Sequence, residues 1–305
     1  MNKFKDKSMQ AAFEYAKSQT AHFSKSFYFS SQILPKEKRW NTFGLYSYCR
    51  YADNIVDNPR NRADAELFEE LASVARELNI AYRRGESEHP VLKPFIQVAT
   101  KRDIPMQYPL DLLDGVKMDL LKNRYETFAD LYEFAYRVAG VVGLMMTHVL
   151  GYKDKEALVY AEKLGIAMQL TNILRDIQED KQMNRIYLPL QEIREFGLDE
   201  NDFVHENFNR NMYKFMRFQV ERAHRYFEDA KPGIPMLDRD SQFAIYSASR
   251  IYRGILNQLE ARGYNPFLGR AFVSQRQKLA ILFNEVMKTR VVQPVTTSLA
   301  SFIGL

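Results

Sequence analysis

Four aspartates lie on stretches with helical period that are otherwise too apolar for a protein surface, and they limit what this chain can fold into. From Phe43 to Asp57, Leu45, Tyr48, Cys49, Ala52, Ile55 and Val56 spread apolar side chains around most of a helix. The exceptions, Tyr46, Arg50, Asp53 and Asp57, are spaced by four, three and four residues, which stacks them on one face. Tyr160 to Asp180 repeats the arrangement, with Leu164, Ile166, Ala167, Met168, Leu170, Ile173, Leu174 and Ile177 around a stripe of Gly165, Gln169, Asn172, Asp176 and Asp180. Two carboxylates four residues apart already repel by about 0.2–0.5 kcal/mol on an isolated helix, and burial makes an unpaired charge far costlier. Something cationic must sit between the two stripes.

The rest of the chain supplies a helical frame. None of the 11 prolines falls between Pro109 and Pro189, and period-two alternation is scarce. Helices are predicted near 6–20, 36–57, 63–84, 90–102, 106–122, 128–150, 155–182, 210–231, 237–262 and 270–290. The breaks between them are short, and no repeat or low-complexity segment interrupts the pattern. The expectation is one all-α domain, a helical bundle with a central cavity. It divides into a helical lead-in over 1–23, the domain proper over 24–290 and a tail over 291–305.

Several function classes are disfavoured. A net charge of +5 without any Lys/Arg-rich block or nucleic-acid motif gives no nucleic-acid interface. One cysteine, Cys49, allows neither an internal disulfide nor a multi-cysteine zinc site, which suits a reducing, cytoplasmic setting. Met1 to Gln10 lacks the apolar core of a secretory signal, and the uncharged run from Val138 to Tyr152 is shorter than the ~20 residues of a spanning helix.

A single acid pair is commonly neutralised by a neighbouring arginine, and Arg50 and Arg175 stand ready for that. Two facing stripes favour a second reading. The four aspartates, Asn172 and Gln169 are all oxygen donors, the chemistry of Mg²⁺, with Mn²⁺ as the alternative, rather than of zinc. Mg²⁺ is typically held by a few carboxylates plus substrate phosphates, so a diphosphate is the expected ligand. Arg50 and Arg175 could then donate to its remaining oxygens. Metals and arginines that stabilise a departing diphosphate make ionisation of an allylic substrate the natural reaction class.

At these residues the sequence resembles the squalene and phytoene synthase family. The motifs are Tyr48-Cys-Arg-Tyr-Ala-Asp53-Asn-Ile-Val-Asp57 and Gln169-Leu-Thr-Asn172-Ile-Leu-Arg175-Asp176-Ile-Gln-Glu-Asp180. Further matches are Ser24-Lys-Ser-Phe27, Tyr136-Arg-Val-Ala-Gly140, Asn184-Arg-Ile-Tyr-Leu-Pro189, Arg250-Ile-Tyr252 and Phe272-Val-Ser-Gln-Arg276, so the resemblance runs from about Ser24 to Lys288. It implies the all-α isoprenoid-synthase fold and two aspartate-rich motifs that bind metal through Asp53, Asp57, Asn172, Asp176 and Asp180. Ser24, Lys25, Ser26, Arg50, Arg175 and Arg276 look like diphosphate contacts, with Phe27 in the first of those motifs. Tyr46, Gln169, Tyr136 and Tyr252 look like cavity residues near the reacting carbons, where tyrosine faces can stabilise a carbocation. Each tyrosine taken alone fits core packing equally well. Ala139, Gly140 and Gly143 read as a core helix first and as the wall of an isoprenoid tunnel second. Asn184 stands where a glycine is common, at a position where Asn can also adopt a left-handed backbone.

The segments Asp111-Leu-Leu-Asp-Gly115-Val-Lys-Met-Asp-Leu120, Thr127-Phe-Ala-Asp-Leu-Tyr132 and Gly263-Tyr264-Asn-Pro-Phe most resemble the phytoene-forming members. These join two geranylgeranyl diphosphates head to head, without NADPH. Asp111, Asp114 and Asp119 suit a solvated face paired with Lys117 as well as they suit substrate contact. Farnesyl diphosphate as substrate, giving dehydrosqualene, squalene or presqualene diphosphate, is the alternative within the family. Outside enzymology the alternative is a non-catalytic helical assembly factor. A water-insoluble hydrocarbon product further implies peripheral contact with a membrane.

Overall fold

The computed structural model describes residues 6–292, with backbone alone at Ser26 and at 286–292; the expected tail from 291 lies almost wholly outside the described residues. The chain runs through α1 (Lys7–Phe23), α2 (Lys25–Ser31), α3 (Lys36–Asp57), α4 (Asp64–Arg84), α5 (Leu92–Lys101), α6 (Gln107–Leu121) and α7 (Phe128–Ala135). A π-helical turn at Tyr136–Gly140 leads into α8 (Val141–Leu150), followed by α9 (Glu156–Arg175), α10 (Ile177–Gln182), α11 (Leu190–Glu195), α12 (Glu200–Val204) and α13 (Arg210–Ala230). A 3₁₀ turn at Lys231–Met236 precedes α14 (Arg239–Ala261) and α15 (Gln275–Val292). Among the described residues there is no strand, only isolated bridges such as Arg124 with Ile186.

Two apolar clusters organise these helices. One takes Leu45, Tyr48 and Ala52 of α3 together with residues of α4, α5, α6 and α8, such as Leu71, Phe95, Leu112 and Met145. The other takes Ile166, Ala167, Leu170 and Ile173 of α9 with Phe215 and Val220 of α13 and Leu256 of α14. α3 and α9, the two stripe-bearing helices, thus belong to different clusters, and their polar faces are left for the seam between them. α1 packs against α3 and α5 through buried Phe13 and Ala16, with the Phe13 ring edge-on to Trp40 at 6.3 Å. The lead-in is therefore part of the core. Lys38 ties the far end of α3 to the start of α14: its buried ammonium donates to Asp238 (2.9 Å), Asp240 (2.6 Å) and the Leu150 carbonyl.

Two helices predicted as continuous are broken. The stretch 128–150 is α7, the π turn and α8, with the Val141 N–H reaching back five residues to the Tyr136 carbonyl. The cause is tertiary, a backbone-to-backbone crossing with α9. A Cβ at Gly143 would lie 2.4 Å from the Ala161 carbonyl oxygen, and one at Gly165 only 2.3 Å from that of Ala139. Gly165→Ala should push these helices apart and cost about 1–3 kcal/mol, read as a lowered thermal midpoint, because carbonyl oxygens in two packed helices cannot step aside. An unchanged midpoint would mean that the crossing is looser than it looks.

The stretch 155–182 breaks at Asp176, whose φ of −104° and ψ of 13° end α9 and begin α10. The Asp180 N–H still reaches the Asp176 carbonyl at 2.9 Å, so the second aspartate pair survives across a bend instead of along a straight helix. Asn184 then takes φ 56°, the left-handed turn its position allows, and swings the chain back so that the Ile186 N–H meets the Asn123 carbonyl at 3.0 Å. The short helices α2, α11 and α12 are additions to the predicted set.

Candidate active site

The seam between the clusters opens as a cleft of ≈ 190 Å³. Asp53 and Asp57 of α3 and Asp119 of α6 line it together with Gln169, Asn172 and Asp176 from α9 and its end, and Asp180 of α10. Val56, Val116, Phe134, Val138, Ile173 and Tyr187 supply the rest of the wall. The two stripes read from the sequence share this cavity.

Each aspartate pair has one member engaged by arginine and one left bare. Arg50 Nη1 donates to Asp57 Oδ2 at 3.3 Å, while its Nε is buried without a partner and its guanidinium lies 4.6 Å from the centre of the Phe23 ring. Arg175 grips Asp176 with two parallel bonds, Nε to Oδ1 at 2.7 Å and Nη2 to Oδ2 at 2.5 Å. Asp53 and Asp180 take no such bond among the described residues. Burial, followed by repulsion from Asp57, pushes the Asp53 carboxyl up to about 7. Burial, followed by repulsion from Asp176, does the same to Asp180, also to about 7. The arginine pairing open in the sequence thus exists, but it answers only half of the buried charge.

The donor set fits a divalent cation. Asn172 gives its amide N–H to Gln169 Oε1 at 3.3 Å and leaves its own Oδ1 buried and unpartnered. Two bare carboxylates and an orphaned amide oxygen are hard donors in one cavity, which suits Mg²⁺. Among the described residues no three Asp, Glu, His or Cys side chains stand close enough to hold an ion by themselves. An ion here would complete its shell with water and ligand oxygens, the habit of Mg²⁺ in phosphate-binding sites.

Asp119 emerges as a cleft residue, while its sequence neighbours do not. Asp114 pairs with Lys117 at 2.8 Å on a solvated face, while Asp111, only 15% exposed, accepts from Gln107 at 2.8 Å and lies 3.9 Å from Arg137. Asp119 instead accepts from the Tyr187 hydroxyl at 2.9 Å and lies 4.0 Å from Arg185, which the Asn184 turn has brought beneath α6. Burial pushes its carboxyl up, and Arg185 and the tyrosine hydroxyl pull against that.

The remaining predicted residues divide. Tyr46 stacks on Phe27 with ring centres 5.1 Å apart, and burial raises its hydroxyl to about 12, opposed by Arg50 and by a hydrogen bond with Ser24. Tyr252 on α14 lies buried near Arg175 and Asp176, its hydroxyl pushed up by that burial. Tyr136 faces Asp111, Glu162 and Tyr108 and does not line the cleft. Lys25 and Arg276 are exposed and away from the cleft wall, and nothing is described of the Ser26 side chain. Gly140 is buried against Tyr136, and the Cβ direction of Gly143 is filled by α9 backbone. The smallness of Gly140 and Gly143 serves the helix crossing, and beside them Val138 reaches the cleft.

One arginine escapes a reading of the sequence. Arg270, on the loop after α14, places Nε 3.1 Å from Asp176 Oδ1 and Nη1 3.3 Å from Glu179. No period marks a loop residue, so only the tertiary fold brings it here.

Comparisons with known proteins agree with this geometry. Residues 20–277 match the family model described as squalene/phytoene synthase. The chain is 36% identical to a 15-cis-phytoene synthase of Synechococcus elongatus over 90% of its own length and 92% of that protein's. To the phytoene synthase of Arthrospira platensis it is 33% identical, over 92% of this chain and 94% of that one. Among solved structures, a dehydrosqualene synthase in complex with a ligand superposes with a TM-score of 0.85 at 31% identity, covering 93% of this chain and 98% of the other. A squalene synthase from Alicyclobacillus acidocaldarius shares the fold, with a TM-score of 0.79 at 23% identity over 85% of this chain and 97% of the other. Two aspartate pairs facing one another inside an all-α isoprenoid-synthase bundle, matched over most of the chain, place it in the squalene/phytoene synthase family.

Proposed function

We propose that this prenyltransferase joins two geranylgeranyl diphosphates head to head to phytoene by way of a cyclopropylcarbinyl diphosphate, releasing diphosphate and serving carotenoid biosynthesis. The observation that carries the reaction class is the pair of half-filled aspartate sites across one cleft. The choice of substrate is supported by similarity to proteins named phytoene synthase along nearly the whole chain.

In this reading Asp53, Asp57, Asn172, Asp176 and Asp180 hold Mg²⁺ or Mn²⁺. A bound metal neutralises the diphosphate and assists its departure. Arg50 and Arg175, now paired with Asp57 and Asp176, exchange a carboxylate for diphosphate oxygens as the site fills. Arg270 is a third donor of the same kind at the rim. Ser24, Lys25, Ser26 and Arg276 are assigned to diphosphate contact by the family resemblance alone. Tyr46, held by Phe27, and buried Tyr252 present aromatic faces and hydroxyls that stay protonated, suited to an electron-poor carbon and unable to trap it as phenolates. Phe134, Val138 and Ile173 exclude water from the reacting carbons. We assign residues 24–290 to this catalytic unit, with α1 packed against it as part of the same core.

Farnesyl diphosphate is the second reading, favoured by the similarity to a dehydrosqualene synthase structure. Purified protein with Mg²⁺ should convert geranylgeranyl diphosphate to phytoene without NADPH. Extraction of a thirty-carbon lipid from farnesyl diphosphate alone would reverse the substrate choice, and no lipid from either would refute the reaction. Peripheral membrane contact belongs to the same reading, since the product has nowhere to go in water. No helix among the described residues is long and apolar enough to cross a bilayer.

A further inference from the structure

We infer that Tyr187 and Asp119 form the proton exit of the cleft: the Tyr187 hydroxyl takes the last proton given up by the joined carbons and passes its own to the Asp119 carboxylate. The inference deepens the proposed reaction and rests on it. Each joined carbon enters as the CH2 that bears diphosphate and leaves as one CH of a central double bond, so each gives up a proton. With no hydride donor in the reaction, the last cation ends only when its neighbouring C–H bond breaks and that electron pair becomes the second bond of the alkene. The proton then needs a base, and the cleft wall limits the choice.

Apart from the proposed metal-binding set and Gln169, Asp119 and Tyr187 are the only polar side chains lining the cleft among the described residues. The Tyr187 hydroxyl donates to Asp119 Oδ1 at 2.9 Å, so a proton arriving at the phenol oxygen has a carboxylate waiting behind it. The Tyr187 ring is fixed by stacking on Phe134, with centres 5.3 Å apart and 17° between planes, and on Tyr125 at 5.9 Å. Phe134 lines the cleft with Val116 and Val138, which delivers the hydroxyl beside the apolar wall. Arg185 stands 4.0 Å from Asp119 Oδ2 and donates to the Asp119 carbonyl at 3.5 Å. It favours the ionised carboxylate against the pull of burial, while burial keeps the Tyr187 phenol protonated between turnovers. The Asp119 side chain, 19% exposed, can return its proton to water. The Tyr125 hydroxyl, by contrast, is buried without a partner, so it has nowhere to pass a proton.

The test is the product ratio of Tyr187→Phe and Asp119→Asn with Mg²⁺ and geranylgeranyl diphosphate carrying hydrogen or deuterium at C1. Without the relay the last cation survives long enough to be captured by water. The ratio of phytoene to forty-carbon alcohols should fall about 10²-fold in either variant, and further with deuterium, while diphosphate release continues. Tyr125→Phe should match the parent. An unchanged ratio in Tyr187→Phe overturns the proposal and leaves the proton to the departing diphosphate. A slower reaction with the parent's ratio and isotope effect also overturns it, since that is the sign of a structural role. Should Asp119→Asn fail to fold, Tyr187→Phe, which keeps the stacked ring, decides alone. A parent that makes no phytoene refutes the reaction and the relay together, whereas an active parent with unaltered variants refutes the relay only.

Discussion

Asp53→Asn will stop product formation and leave the metal-free protein more resistant to heat than its parent. The loss follows from the cleft, since Asp53 is a bare carboxylate facing the second aspartate pair, and a metal's contribution of several kcal/mol corresponds to about 10³-fold or more in turnover. The gain follows from the same carboxylate. Its ionisation is opposed by burial and by Asp57, so an uncharged amide of equal shape removes a cost that the folded state carries. Asp176 behaves differently, because it answers both Arg175 and Arg270, and Asp176→Ala would strand a buried guanidinium. Turnover and thermal midpoint measured side by side check this. An active Asp53→Asn protein refutes the metal assignment, and an inactive one with a lower midpoint refutes the electrostatic account.

The second large effect is a pH dependence of the metal-free protein. Asp53 and Asp180 ionise near the ordinary 3.8 when unfolded and at about 7 when folded, so the folded state binds more protons between those values. Their contribution to stability is full below the unfolded value and is lost as pH rises through about 7. His89, His148 and His224 are each held below the usual 6.5 by burial and act in the opposite sense, but only at lower pH. Between about pH 6.5 and 8 the thermal midpoint should therefore fall in the parent and fall less in Asp53→Asn. Mg²⁺ with inorganic diphosphate should restore it, and more at pH 8 than at pH 6.5, because a cation binds only the deprotonated carboxylates. At a hundred-fold excess over the dissociation constant the restoration is about 2.7 kcal/mol. A midpoint flat with pH, or equal restoration at both pH values, would count against paired bare carboxylates.

Local pattern is legible in the sequence wherever the structure is itself local. The period predicts α3 over 36–57 and the helix is found at Lys36–Asp57, because Pro35 opens it, Asn58-Pro59 closes it and an apolar repeat fills the interval. The polar stripes are equally legible, and with them the four aspartates, Asn172 and Gln169 that line one cleft. What the sequence hides depends on partners distant along the chain. The bend at Asp176 follows where Arg175 and Arg270 grip the chain, and the latter arrives from 94 residues away. Asp119 shares its helix and charge with Asp111 and Asp114, and only Tyr187 and Arg185, brought round by the Asn184 turn, set it apart. Gly143 reads as core first and as the wall of a tunnel second, because smallness has the same signature whether it makes room for another backbone or for a ligand.

The wide turn at Tyr136–Gly140 also sets how this region can change over generations. It holds one residue more per turn than its flanks, and each residue of an α-helix advances the next by about 100°. Losing one residue there would restore ordinary winding and leave the downstream helix close to its present phase, so Gly143 would still meet the Ala161 carbonyl; losing one from the regular helix beyond it would rotate α8 by about 100° and present a bulkier neighbour to α9. The π turn is thus the one place in this segment where related chains can differ by a residue in length without losing the crossing with α9.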